Sequence, residues 1–177
     1  MEKQFLIVVD LQNDFVDGAL GTPEAQRIVP AAVEHICRRR SEGATVLATM
    51  DTHGPEYLST AEGRKLPVEH CIRGTHGWEL NPEVEAALEG CERIEKPGFG
   101  SPRLPERVAQ LSGDGENLTI EVIGLCTDIC VVCNAMLLKA RFPEATIRLL
   151  RSCCAGVTPE LHEAALKTMA SCQIEIV

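Results

Sequence analysis

The chain has 177 residues, enough for one domain of ordinary size that buries about 70% of the surface its unfolded form exposes. It carries 17 basic and 26 acidic residues, a net charge of −9 whose field repels phosphates, so neither nucleic acid nor membrane is expected as a partner. Apolar residues make up 45%, too many for a disordered chain, and no stretch approaches the ~20 apolar residues of a membrane span.

Phe5–Val9 is a continuous apolar run that ends on Asp10 and reads as the first strand. Glu24–Arg40 reads as a helix closed by Gly43, and Thr45–Thr49 as a second strand leading to Asp51 and His53. Residues 51–80 follow neither a helix nor a strand period. A loop of roughly thirty residues inside one domain is unusual and points to function. Arg93–Glu95 is a third strand followed by Lys96-Pro97, and Pro102–Leu111 a helix. Leu118–Gly124 is a fourth strand that runs through Leu125-Cys126-Thr127-Asp128-Ile129-Cys130 into a helix over Asp128–Ala140. Thr146–Leu150, a helix over Pro159–Ala170 capped by Thr158, and Gln173–Ile176 complete the chain. Short β-branched runs alternating with amphipathic stretches predict an α/β fold in three layers. Its sheet is six-stranded and mostly parallel, with helices on both faces, and residues 1–177 form a single domain.

In such a sheet, ligands bind at the carboxyl ends of the strands. Asp10, Asp51 with His53, Lys96, and the thiols of Cys126 and Cys130 all fall there. Cys130 lies in the first turn of its predicted helix, where the macrodipole favours thiolate. Asp10 is then placed to take the thiol proton, Lys96 to hold the pair, and the N–H groups of Cys126 and Cys130 to bind an oxyanion. In the long loop, Asp51, His53, Glu62 and His70 offer carboxylate and imidazole donors that suit Zn²⁺, with Mn²⁺ or Fe²⁺ as other occupants.

Asp10-Leu-Gln-Asn-Asp-Phe15, Lys96 and Gly124-Leu-Cys-Thr-Asp-Ile-Cys130, in that order, resemble the isochorismatase-like cysteine hydrolase superfamily, nearest to its nicotinamidase-related amidases. The resemblance implies an isochorismatase-like hydrolase fold and the catalytic triad Asp10, Lys96 and Cys130. It also implies a non-proline cis bond at Leu125–Cys126 and a metal held by Asp51, His53 and His70, with Glu62, His76 or water as fourth ligand. The activity implied is hydrolysis of a small nicotinamide-like carboxamide to acid and ammonia through a Cys130 thioester. Relatives of this kind form homo-oligomers. Phe15 matches the first of two aromatic walls that clamp the substrate ring, whereas Leu66-Pro67-Val68-Glu69, where the second belongs, has no aromatic. Tyr57, Trp78 and Phe99 are the remaining candidates for that wall.

The alternative within the superfamily is a metal-independent hydrolase of ureido or carbamoyl compounds. Outside it stand a zinc-binding interaction protein, a thiol-disulfide oxidoreductase using Cys130 and Cys133, and an iron–sulfur site on Cys126, Cys130 and Cys133. A helix beginning inside that last motif opposes a cluster. The chain holds nine cysteines but only four Phe, one Tyr and one Trp. An odd thiol count and the absence of an export signal predict reduced cysteines in the cytoplasm. Most of them, Cys37, Cys91 and Cys172 included, are expected to pack as small hydrophobes.

Overall fold

β1 (Lys3–Val9) lies inside a six-stranded sheet, and the computed structural model describes residues 3–113 and 117–177. After it come α1 (Asn13–Val16), α2 (Pro23–Ser41), β2 (Thr45–Asp51), α3 (Pro82–Ala87), β3 (Glu92–Lys96) and α4 (Arg103–Ser112). β4 (Leu118–Leu125), α5 (Val132–Arg141), β5 (Thr146–Ala155), α6 (Pro159–Ser171) and β6 (Glu175–Ile176) follow. The strand order is β3-β2-β1-β4-β5-β6, and the pairings are all parallel. The order reverses between β1 and β4, which makes the carboxyl ends of those two strands the switch point of the sheet.

Alternation along β1 divides the core. Phe5, Ile7 and Val9 pack with Leu104 and Val108 of α4, Leu138 of α5 and Met169 of α6. Leu6 and Val8 face the other way, onto Ile28, Ala32 and Ile36 of α2 and Val84 of α3. Both faces of the strand are therefore dry, which is why its sequence is continuously apolar. Caps fix the helix starts: Thr22 Oγ1 accepts from Ala25 N at 3.0 Å and Thr158 Oγ1 from Leu161 N at 3.2 Å, each with proline at the next position.

The expected strands and long helices are present, with four differences. β5 runs on to Ala155 because Arg151 to Cys154, weak strand formers, are carried by pairing of Cys154 and Ala155 with β4. α1 and α3 were not expected, being too short to show a helical period. The helix expected over Asp128–Ala140 opens instead with a π-helical turn, Thr127–Val131, that precedes α5. Finally, the thiols are less uniformly packed than expected. Cys71, Cys130, Cys153 and Cys154 are buried, Cys37 is exposed, and Cys91 and Cys172 are half-buried, as are Cys126 and Cys133. Cys37 follows the fully buried Ile36, so it falls on the solvent side of α2.

Gly124 pairs with Val9 where β4 comes up against β1, with φ at +123°. A Cβ there would lie 2.0 Å from the Val9 carbonyl oxygen, inside any permissible contact. Gly124→Ala is expected to cost at least about 2 kcal/mol of stability. Thermal unfolding checks this, and a variant that melts with the wild type would show that β4 is free to move away from β1.

Candidate active site

Adjacent strands stand ~4.8 Å apart, so β3 and β1, separated by β2, are roughly 10 Å apart. Lys96 has the long stem needed to cross the end of β2, and its ammonium lies 2.6 Å from Asp10 Oδ2, 3.2 Å from Asp51 Oδ1 and 3.4 Å from Cys130 Sγ. It also donates to the Gly98 carbonyl at 3.0 Å. Asp10 takes φ +48° as the chain leaves β1, and its Oδ1 accepts the Thr49 hydroxyl at 2.7 Å. The sequence-derived triad thus meets at one buried point.

Electrostatics there are set by burial. Desolvation raises the Asp10 carboxyl above its ordinary value, with Lys96 opposing. Lys96 stays firmly protonated: burial disfavours its charge, but Asp10, Cys130 and Asp51 outweigh that cost. Cys130 departs from expectation. Burial, then the neighbouring Asp10 carboxylate, push its thiol well above the usual range, and the thiol hydrogen-bonds Asp10. The Cys130 sulfur thus sits beside both the Lys96 ammonium and the Asp10 carboxyl.

The Leu125–Cys126 peptide is cis, as the resemblance implied. Beyond it the cysteine turn is held by two ties to the segment after β5. Thr127 Oγ1 lies 2.8 Å from His162 Nδ1, and Asp128 Oδ1 accepts the Val157 N–H at 2.9 Å. Asn134 Nδ2 donates to the Cys130 carbonyl at 2.8 Å from one turn further along.

Residues 51–80 fold back on themselves. His53 N–H bonds the Cys71 carbonyl at 3.0 Å and Arg73 N–H the His53 carbonyl at 2.9 Å, which sets His70 beside Asp51. Donor atoms of Asp51, His53 and His70 all lie within 4.8 Å of one another and are buried. Both imidazole Nε2 atoms face Asp51 Oδ2, at 2.9 and 3.5 Å. Glu62 Oε1 stands 3.8 Å from His53 Nε2 and 3.7 Å from His70 Nε2. His76 is elsewhere, exposed beside Glu79. The donors fit a divalent cation: two carboxylates, Asp51 and Glu62, converge with two imidazoles, the oxygen and nitrogen set such an ion takes. His70 Nδ1, at 2.9 Å from the Val68 carbonyl, is held as the donor nitrogen, so Nε2 is the one turned to the cluster.

Sequence reasoning overlooked the polar residues after Asp10, which clip this loop to the sheet. Gln12 uses its whole amide on main chain: Oε1 accepts from Asp51 N at 2.7 Å, and Nε2 donates to the Asp51 and Trp78 carbonyls at 2.8 Å each. Asn13 Nδ2 donates to the His76 carbonyl at 2.8 Å, and Asp14 Oδ2 accepts from Cys71 N at 2.8 Å. Three consecutive polar residues opening a strand-end loop were the available signal.

A cavity of about 250 Å³ opens over Cys130, lined also by Phe15, Asp51, Glu62, His70 and Cys126. The Phe15 ring meets His70 edge-on at 5.5 Å. Of the candidates for the opposite wall, Tyr57 is fully buried behind the histidines, with ring centroids 4.7 Å from His53 and 4.9 Å from His70. Trp78 faces a separate cleft of about 720 Å³ with Arg93 and Arg103. Phe99 and Leu66 line the cavity itself.

A family model described as the isochorismatase domain matches residues 4–177. This chain belongs to the isochorismatase family. Within that family it is similar to a nicotinamidase/pyrazinamidase of Mycobacterium tuberculosis, 26% identical with 97% of each chain covered. The solved nicotinamidase/pyrazinamidase of Bacillus subtilis superimposes with a TM-score of 0.85 at 26% identity over 99% of both chains. A pyrazinamidase of Pyrococcus horikoshii, solved in complex with zinc, gives 0.79 at 29% identity over 99% of this chain and 98% of that one. The isochorismatase-like hydrolase fold and the nicotinamidase-related amidase branch follow, and with them an enzyme rather than a binding module. Among the described residues, no helix is long and apolar enough to cross a membrane.

Loss of the Gln12 clip is expected to loosen the donor cluster. Gln12→Ala should weaken divalent-metal binding roughly 10- to 100-fold, read by competition with a chromogenic chelator. Unchanged affinity in the folded variant would show that the ligands hold their places without it.

Proposed function

We propose that this enzyme hydrolyses a small, nicotinamide-like carboxamide to its acid and ammonia through a thioester on Cys130. The observation that carries this reading is the buried contact of Lys96 with both Asp10 and Cys130, at 2.6 and 3.4 Å, beside a carboxylate–imidazole cluster on the same cavity. The nicotinamidases and pyrazinamidases to which the chain is similar support the choice of substrate. We read residues 1–177 as one hydrolase domain with residues 51–80 as its metal loop.

Cys130 Sγ attacks the carboxamide carbon as its proton passes to Asp10. The N–H groups of Cys126 and Cys130 take the developing oxyanion. Asp10 returns the proton to the departing ammonia, and the acyl group remains on sulfur. Asp10 then deprotonates a water that attacks the thioester, and Cys130 recovers its proton as the acid leaves. Lys96 keeps an ammonium beside both groups throughout, so negative charge on either is countered at close range in a buried pocket. A divalent metal on Asp51, His53, His70 and Glu62, which we assign as zinc, supplies when bound an electrophilic anchor for a substrate lone pair such as a ring nitrogen. Phe15 bounds the ring on one side. The metal cluster favours this reading over a metal-independent ureido or carbamoyl hydrolase.

The test is ammonia release from a panel of carboxamides and ureido compounds, with and without chelator. Release from nicotinamide that chelator suppresses is expected, and release from ureido compounds alone, indifferent to chelator, would overturn the proposal. Cys130→Ala should lower turnover at least about 10³-fold with metal content intact, while His53→Ala should lose metal. Near-wild-type turnover in the first variant would remove the nucleophile assignment.

The base must be ionised to act. Because burial raises Asp10, its ionised form disappears, as pH falls, at a point above the ordinary aspartate value of 3.8. With metal in excess, the acid limb of kcat/KM should therefore lie above that value. A profile flat down to it would show that Asp10 is not the base.

A further inference from the structure

The mouth of the catalytic cavity is apolar and wet. Three of its lining side chains, Leu66, Phe99 and Val157, are 37%, 46% and 45% exposed. They come from three separate segments: the metal loop, the turn after β3 and the turn after β5. Scattered single exposed hydrophobics need no explanation, but three converging on one opening do. Phe99 is the plainest case, since Phe5, Phe15 and Phe142 are all buried in a chain with four phenylalanines.

Nor are these side chains carried on slack loops. The Gly98 carbonyl accepts the Lys96 ammonium at 3.0 Å, and Asn134 Nδ2 donates to the Phe99 carbonyl at 3.3 Å. Val157 N–H is tied to Asp128 at 2.9 Å, and the Leu66 carbonyl accepts the Tyr57 hydroxyl at 3.0 Å. Each rim residue is thus anchored to the group that builds the triad, the cysteine turn or the metal cluster. A rim held in water at a fixed distance from the nucleophile is organised for something that arrives with the substrate.

We propose that Leu66, Phe99 and Val157 form an apolar collar that selects carboxamides bearing an alkyl or aryl substituent on the ring carbon that points out of the cavity. This rests on the amidase reading above and narrows its substrate class. In a pyridine-3-carboxamide held as proposed above, the amide on carbon 3 turns toward Cys130 and the ring nitrogen toward the donor cluster, so carbon 2 between them points inward. Carbon 5, across the ring from carbon 2, points out of the cavity, and a substituent there meets the collar. Covering it with the substrate's own carbon removes apolar surface from water on both partners, and the gain is realised only by substituted amides.

The test compares nicotinamide with its 5-methyl, 5-ethyl and 5-propyl derivatives in the metal-loaded enzyme. kcat/KM is expected to rise about fourfold per added methylene, carried mainly by KM. Phe99→Ala should flatten the series and Phe99→Leu should restore most of its slope. Hydrolysis of nicotinamide with a flat or falling alkyl series would overturn the collar and leave the amidase reading standing. Failure of every amide, nicotinamide included, would overturn the amidase reading itself and the collar with it. A self-associated wild type that Phe99→Ala converts to monomer would assign the rim to a second copy of the chain and overturn the proposal.

Discussion

Placing one ammonium in a dry pocket among carboxylates is the constraint around which this molecule is organised. A buried lysine is costly unless it is paired, and an unpaired buried aspartate costs as much. Lys96 and Asp10 resolve each other's desolvation, and Asp51 shares the ammonium through its second oxygen. Because these residues end β3, β1 and β2, the strand order is what makes the pairing possible. Swapping any two of those strands would strand a charge. The pairing also joins the two halves of the site: Asp51 touches the lysine with one oxygen and faces both imidazoles with the other.

Much of this was legible in the sequence because a parallel sheet turns chain order into spatial order. Reading on from the carboxyl end of each predicted strand, by one or two positions, led to Asp10, Asp51 and Lys96. The candidate metal donors stood out because no helical or strand period accounted for the stretch that holds them. Tertiary effects stayed hidden. The partners of Gln12 and Asp14 lie tens of residues downstream, and nothing local to an amide or a carboxylate announces a main-chain bond that far away. The thiol was misjudged for the same reason: a helix start is a local cue favouring thiolate, whereas burial and the Asp10 charge come from the assembled fold. Cys37 was misplaced because small side chains give little signal of which way a helix turns them.

Scarcity of aromatics acquires a structural meaning once their positions are known. Tyr57 backs the two imidazoles and bonds the Leu66 carbonyl, Phe15 meets His70 edge-on, and Phe99 stands at the opening. Half of the chain's six rings therefore serve a single cavity. The rest of the core is filled mainly by branched aliphatics and small residues, as α2 and α4 illustrate.

The burial of Cys130 bears on how the enzyme meets oxidants. Peroxides and alkylating agents react with thiolates, and a buried thiol that keeps its proton offers them little. Meanwhile Cys37, exposed on the far side of α2, meets oxidants first, at a position where modification touches no part of the cavity. Of the nine free thiols, the exposed one thus lies outside the cavity lining, while the one proposed as nucleophile is buried.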